Sequence, residues 1–309
     1  MSIIPVEVPT GAIRYNTDSN KMECWIGTKW MEISVSSPDL DGGARATFSG
    51  GQTPSSNYNI IDYITISTAG NAQDFGDLNT SPLGARAAAD RTRGIIAGGY
   101  TPSVINTIEY ITISSTGNAQ DFGDLPSIQS YSGALNNGTR AVFGGTFVPG
   151  GFQNIIQFVT IQSTGSADDF GDLPFTMQVD AAAASPTRGI FFGGYVTAPT
   201  RAVNTIHYIT TATTGNAQDF GDMTIKQYAN AACSNSIRAV SAGGNDYPNK
   251  LSSMEFVTIA TKGNSTNFGS IAATTNYPAA ASSPTRGVIA GGNTPTHLDT
   301  IQYISFATE

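Results

Sequence analysis

One unit of about 48 residues recurs six times in this chain of 309. Arg followed within five residues by Gly-Gly stands at Arg45, Arg93, Arg140, Arg188, Arg238 and Arg286, at spacings of 48, 47, 48, 50 and 48. An aromatic inside a β-branched run follows at Tyr63, Tyr110, Phe158, Tyr208, Phe256 and Tyr303. Asp-Phe-Gly-Asp or a close variant then surrounds Phe75, Phe122, Phe170, Phe220 and Phe268. A unit this short cannot bury its own apolar face, so the copies must pack on one another as a solenoid, propeller or array.

The intervals inside the unit separate paired segments from connections. From the aromatic to the Phe is 12 residues, and from that Phe to the next Arg is 18, in all five complete units. Only the stretch from the second Gly to the aromatic drifts, running 12, 11, 13, 14, 12 and 11. Length changes collect in exposed connections and not in paired strands. That stretch is therefore predicted to be an exposed loop.

Each unit is predicted to hold four short strands, a to d, in an all-β fold. Strand b is the Arg93–Ala97 type segment, ended by Gly-Gly. Strand c is the alternating, β-branched run 107–113, and strand d covers 119–125 after a Thr-Gly-Asn turn. The Ala runs at 87–89, 182–184, 229–232 and 279–281 are assigned to strand a. Ala favours helix, but these runs are too short for a stable one.

The Gly-Gly after strand b and the aromatic of strand c resemble the kelch repeat over roughly residues 38–309, although the usual Trp is missing. The resemblance implies a six-bladed kelch-like β-propeller and no particular activity. In that frame the sixth copy stops at Glu309 after its strand c. Counting 15 residues back from each later Arg reaches the last residue of strand d; counting 15 back from Arg45 reaches Trp30. Residues 22–30 are therefore expected to serve as strand d of the last blade and close the ring, removing an exposed edge. The division is then 1–33, an N-terminal hairpin and closing strand, and 34–309, the propeller.

Composition removes several function classes. Net charge is -8 with no basic cluster, which argues against nucleic-acid binding. No apolar run reaches the 18 or so residues that span a membrane as a helix, and the first residues lack the features of a secretion signal. Cys24 and Cys233 give neither a disulfide framework nor metal spacing and are expected to be buried. His207 is expected on a strand surface and His297 in a loop, so no Ser-His-Asp set or metal site is indicated. No cofactor and no catalytic residue is assigned.

Three recurrent features have chemical readings to weigh. Asp-Phe-Gly without a Gly-rich loop or His-Arg-Asp loop is not a kinase signature, and its Phe is expected in the core. Asn118, Asp121 and Asp124 could ligate calcium once per unit, but capping of strand ends is favoured. The six Arg residues could gather an anion as in sialidase propellers, whose Asp boxes are absent here. A hydrogen-bonding ladder to turn carbonyls is favoured.

The loop after Gly-Gly carries the binding prediction. Tyr58, Tyr100, Phe147, Phe152, Tyr195 and Tyr247 stand there among Asn, Thr and Pro. Exposed aromatics beside amides and hydroxyls suit sugar stacking or a protein partner, or else cap the sheet tops. Upstream, Gly11-Ala12-Ile13-Arg14-Tyr15-Asn16-Thr17-Asp18 and the following Glu23, Trp25, Gly27 and Trp30 resemble a segment of bacteriophage tail-fibre and other virion proteins. The resemblance implies location in the virion. The chain is expected to be a non-enzymatic structural or binding module for host surface polysaccharide or other virion proteins. A capsid or tail decoration protein is the alternative, with a glycan-cleaving enzyme behind it.

Overall fold

The computed structural model describes residues 8–17, 21–32 and 45–307. Every regular element among them is a β-strand. The chain divides into two compact units, Met1–Pro38 and Asp39–Glu309. The inner strand of repeat one, expected near 37–41, lies outside the described residues.

In the N-terminal unit, Ile13–Asn16, Lys21–Trp25 and Trp30–Glu32 form a three-stranded antiparallel sheet with Lys21–Trp25 in the middle. The alternation of the strands sorts its faces. Arg14, Glu23, Lys21 and Glu32 share one face, with ion pairs Arg14–Glu23 and Lys21–Glu32 and Arg14 stacked over Trp30. Ile13, Tyr15, Met22, Cys24 and Met31 share the other. Lys21–Trp25 and Trp30–Glu32, which fall in the segment expected to complete the last repeat, pair with each other in this sheet, where both backbone edges of Lys21–Trp25 are taken. Cys24, expected to be buried, is partly exposed, whereas Cys233 is buried and its thiol is pushed up to about 12 by desolvation.

Among its described residues the second unit contains six successive antiparallel sheets, one per repeat, and two short two-stranded ones, Asn245–Asp246 with Asn249–Lys250 and Asn293–Thr294 with Thr296–His297. Repeat two is representative: Arg86–Ala89, Arg93–Ala97, Thr107–Thr112 and Gln120–Asp124 pair in sequence order. Repeats three, four and five repeat that four-strand order, while repeats one and six each show three strands among the described residues. The Ala runs are strands and not helix; Ala181–Ala184, wholly buried, is the clearest case. With the inner strands of the neighbouring repeats they surround a cavity of ≈ 160 Å³ lined by small residues such as Ala88, Ala183, Cys233 and Ala281.

The three recurring sequence landmarks act as one device. In repeat two, Arg93 stacks over Tyr110 and Tyr110 meets Phe122 edge-on. Arg93 Nη1 then donates to the Ile161 carbonyl of repeat three, 3.0 Å away. The same step runs from Arg45 to Ile113, Arg140 to Thr211 and Ala212, Arg188 to Ile259 and Arg238 to Phe306. Arg286 of repeat six reaches Ile66 of repeat one. The arginines are a structural ladder, as favoured from the sequence.

The apolar core follows the same order. Ile95, Ile108 and Phe122 of repeat two pack with Phe143, Val159 and Ile161 of repeat three, and comparable clusters occupy the other junctions. Ala46, Ile64 and Ile66 of repeat one pack with Val288 of repeat six. Each outer strand contains a β-bulge at the Phe of Asp-Phe-Gly-Asp, which buries that ring and bends the strand. The next residue must be Gly: Gly123 has φ +146, and a Cβ there would stand 2.4 Å from the Gly165 carbonyl oxygen of the following repeat.

Candidate functional site

The segments after Gly-Gly and the connections from strand d to strand a meet on one face. Tyr100 bridges Leu83, Phe147 bridges Ser130, Tyr195 bridges Gln178 and Asn245 bridges Tyr228. In repeats three and four these segments are not loops. Strands b and c continue outward as Arg140–Val148 with Gly151–Thr160, and as Arg188–Tyr195 with Ala202–Thr210. The extra residues found in the sequence lengthen a paired hairpin, and the expectation of an unpaired loop is corrected there.

This pairing places aromatic rings. Phe147 and Phe152 lie opposite each other in register, with centroids 5.9 Å apart. Phe152 meets Tyr195 at 5.4 Å, and Tyr195 meets Tyr228 at 4.8 Å, both edge-on. The arrangement is a continuous aromatic rim across repeats three to five. Beside it Arg201 lies over the Tyr247 ring at 4.0 Å. Arg201 holds φ +59, a left-handed conformation that costs a non-Gly residue roughly 1–3 kcal/mol. Tyr247 is 58% exposed. Burial raises the Tyr228 hydroxyl above its ordinary value, opposed by a hydrogen bond with Asn245 and by Arg201.

Of the six aromatics expected at the site, Phe147, Phe152 and Tyr195 come together, and Tyr247 stacks with Arg201 close by. Tyr58 and Tyr100 are exposed in repeats one and two and share no ring contact with the rim. Tyr228 joins the rim unforeseen, because it lies in the connection between strands d and a. Its signal was available: the equivalent positions are Leu83, Ser130, Gln178 and Asn276, so it is the lone aromatic.

A second cluster occupies the same connections. Arg86 donates to Asp180 at 2.6 Å, and Asp180 also accepts from the Ala229 amide at 2.9 Å. Tyr131 and Tyr277 stack at 5.8 Å, with Arg86 over Tyr131. Tyr131 (φ 56), Ala229 (φ 56) and Tyr277 (φ 52) share the left-handed conformation that Gly84 (φ 70) takes in repeat two. Burial holds the Tyr277 hydroxyl far above its usual range, so it stays a neutral donor. Arg86 and Asp180 stand out in the sequence as charges set against the Ala runs.

The remaining candidates have structural surroundings. His207 is 4% exposed, contrary to its expected surface place. Phe175 packs edge-on against it, and burial lowers its pKa against the opposing pull of Asp219 and Asp222. His297 is exposed. Asn118 accepts from the Asp77 amide at 3.1 Å, so it caps a neighbouring strand. Among the described residues no three His, Cys, Asp or Glu side chains gather into a metal-holding group. No described helix is long and apolar enough to cross a membrane. The chain matches no protein-family model and has no significant match among curated proteins.

Proposed function

We propose that residues 39–309 form a six-bladed kelch-like β-propeller belonging to a bacteriophage virion, and that it is a non-enzymatic binding module. Its ligand is host surface polysaccharide or a neighbouring virion protein, taken on the face built by the b–c hairpins. The observation that carries this reading is the aromatic rim Phe147–Phe152–Tyr195–Tyr228, extended by the Arg201–Tyr247 stack. Sugar rings present C–H faces that pack on aromatic faces, and Arg201 adds donors for hydroxyl or carboxylate groups. The cycle of Arg-to-carbonyl bonds, returning from Arg286 to Ile66, supports the propeller.

The test is binding of the purified chain to an array of bacterial surface polysaccharides and to disrupted particles. A saturable signal that disappears in the F147S/F152S/Y195S variant, with circular dichroism unchanged, supports the reading. A signal unchanged in that variant moves the functional surface elsewhere.

A second reading, a capsid or tail decoration protein, is favoured by the N-terminal sheet. Its apolar face exposes Ile13, Tyr15, Met22 and Met31, a composition suited to packing on a shell protein. Immunogold imaging of whole particles separates the two, since a decoration protein coats the shell or the length of the tail and an attachment protein marks the tail tip.

A further inference from the structure

Arg201 holds a strained backbone conformation at a place where the fold needs only its main chain. It ends the turn of the repeat-four hairpin, where its carbonyl accepts from the Val196 amide at 2.6 Å. Its φ of +59 lies in the region that glycine adopts freely and other residues adopt at a cost. The hairpins of repeats three and four correspond rung by rung: Phe147 faces Phe152 as Tyr195 faces Ala202. One rung further out, Val148 faces Gly151, so the place that Arg201 takes opposite Val196 is held in repeat three by a glycine, at φ +144. Glycine would close the turn equally well. What arginine adds there is its side chain.

That side chain is unspent. The ladder arginines each donate to a carbonyl of the next repeat, and Arg86 pairs with Asp180. Among the described residues the Arg201 guanidinium makes no hydrogen bond and no ion pair. Asp246, the residue before Tyr247, is not paired with it. The Tyr247 ring beneath holds the cation by its π face and takes none of its N–H donors. The pair stands beside the rim, close enough for the charge of Arg201 to act on the Tyr228 hydroxyl. Lys226, exposed and two residues before Tyr228, adds a second positive charge to that connection.

We propose that the Arg201–Tyr247 pair is a carboxylate subsite of the rim, and that the ligand is an acidic polysaccharide whose uronate group is taken by Arg201. The inference rests on the rim reading above and narrows its ligand. A guanidinium offers parallel N–H donors that match the two oxygens of a carboxylate, which an ammonium cannot do. The chain as a whole, at net charge -8, repels a polyanion. An acidic ligand is therefore held only where a cation stands, and that fixes its register. The rim rings follow one another at 5.9, 5.4 and 4.8 Å. Rings in such a series suit a ligand that repeats a sugar ring along its length better than a protein with a single anchor. The strain at Arg201 is then tied to binding, since it sets a free cation at the end of the aromatic series.

The test sets each bacterial surface polysaccharide of the array beside its carboxyl-reduced form, in which the uronate carboxylate has become a primary alcohol. Binding that is lost in F147S/F152S/Y195S is expected only with uronate-bearing members, and it should weaken at least about tenfold on reduction. Arg201→Gln should weaken binding of the native form by a similar factor and leave that of the reduced form unchanged, so that the two changes together cost no more than either alone. Arg201→Gly should lose the same affinity while its melting temperature holds or rises, because glycine takes this φ without strain. Equal affinity for native and reduced forms, or parental uronate binding by Arg201→Gln, overturns the proposal and leaves the rim reading in place. Rim-dependent capture by disrupted particles with no glycan bound does the same. Absence of any binding sensitive to the triple change overturns both.

Discussion

Arg286 Nη1 donates to the carbonyl of Ile66 at 2.9 Å, across 220 positions of sequence. It is the same bond that Arg45 makes to Ile113 one repeat on, at 3.0 Å. The arginine therefore serves the neighbour as well as its own sheet, where its guanidinium lies 4.3 Å from the Tyr303 centroid.

Replacing Arg140 by Ala removes bonds to the Thr211 and Ala212 carbonyls and the stack on Phe158. The expected loss is about 1–3 kcal/mol in denaturant unfolding. Polysaccharide or particle binding by the surviving folded fraction should be unchanged. An Arg140→Ala chain of parental stability that has lost binding would assign the arginine to an anion site.

Gly123→Ala tests the bulge. The added methyl would meet the Gly165 carbonyl at 2.4 Å with φ at +146, and a loss of about 3 kcal/mol or more is expected. Gly269→Ala is the control. Its φ is +125, but a Cβ there meets only Met254 at 3.8 Å. It should lose the smaller amount due to backbone conformation alone, and equal losses at the two sites would remove the contact between repeats from the account.

The N-terminal sheet finds its strand partners within itself, so deleting residues 1–32 should leave the melting temperature of the rest within about 2 °C. A fall of 10 °C or more, or aggregation at an opened edge, would restore the segment to a closing role.

His207 makes stability depend on pH. Its folded pKa lies below the ordinary 6.5 because burial disfavours the cation. The stabilisation is complete above pH 6.5 and is lost as pH falls through and below that value, because the unfolded chain takes the proton first. His207→Gln should flatten this slope in thermal melts between pH 7 and 5. Gln157 and Gln302 hold the equivalent positions in repeats three and six. An unchanged slope would place the titration on another group.

The triple change F147S/F152S/Y195S removes ring contacts among partly exposed residues and should cost the fold no more than about 2 kcal/mol while abolishing binding. Tyr58→Ser, outside the rim, should leave binding intact in the same assay.

What the sequence discloses here is what the copies share. The Arg93–Ala97 strand, the Ala strands and the buried Phe of each outer strand follow from residues recurring at fixed offsets, where one physical demand is stated five or six times. Singular residues escape such averaging. Arg86, Asp180 and Tyr228 each interrupt the pattern at one copy, Tyr131 and Tyr277 share a position that holds Gly, Val or Ala elsewhere, and their partners come from other repeats. His207 was misplaced for another reason. Its counterparts are acids and amides that read as surface residues, yet Glu109 and Glu255 are buried where they accept backbone amides from Asn79 and Thr224. A polar side chain satisfied by a passing main chain leaves no trace in hydropathy.

The paired hairpins of repeats three and four make the rim adjustable in discrete steps. One residue added to each strand lifts the tip by about 3.3 Å and turns its side chains to the opposite face. Two added to each restore the original facing at twice the height. Phe147 opposite Phe152 is one such rung. Variants built by whole rungs would keep an aromatic crest and change only its reach, and those off by one would present the reverse side of the ladder to whatever they meet.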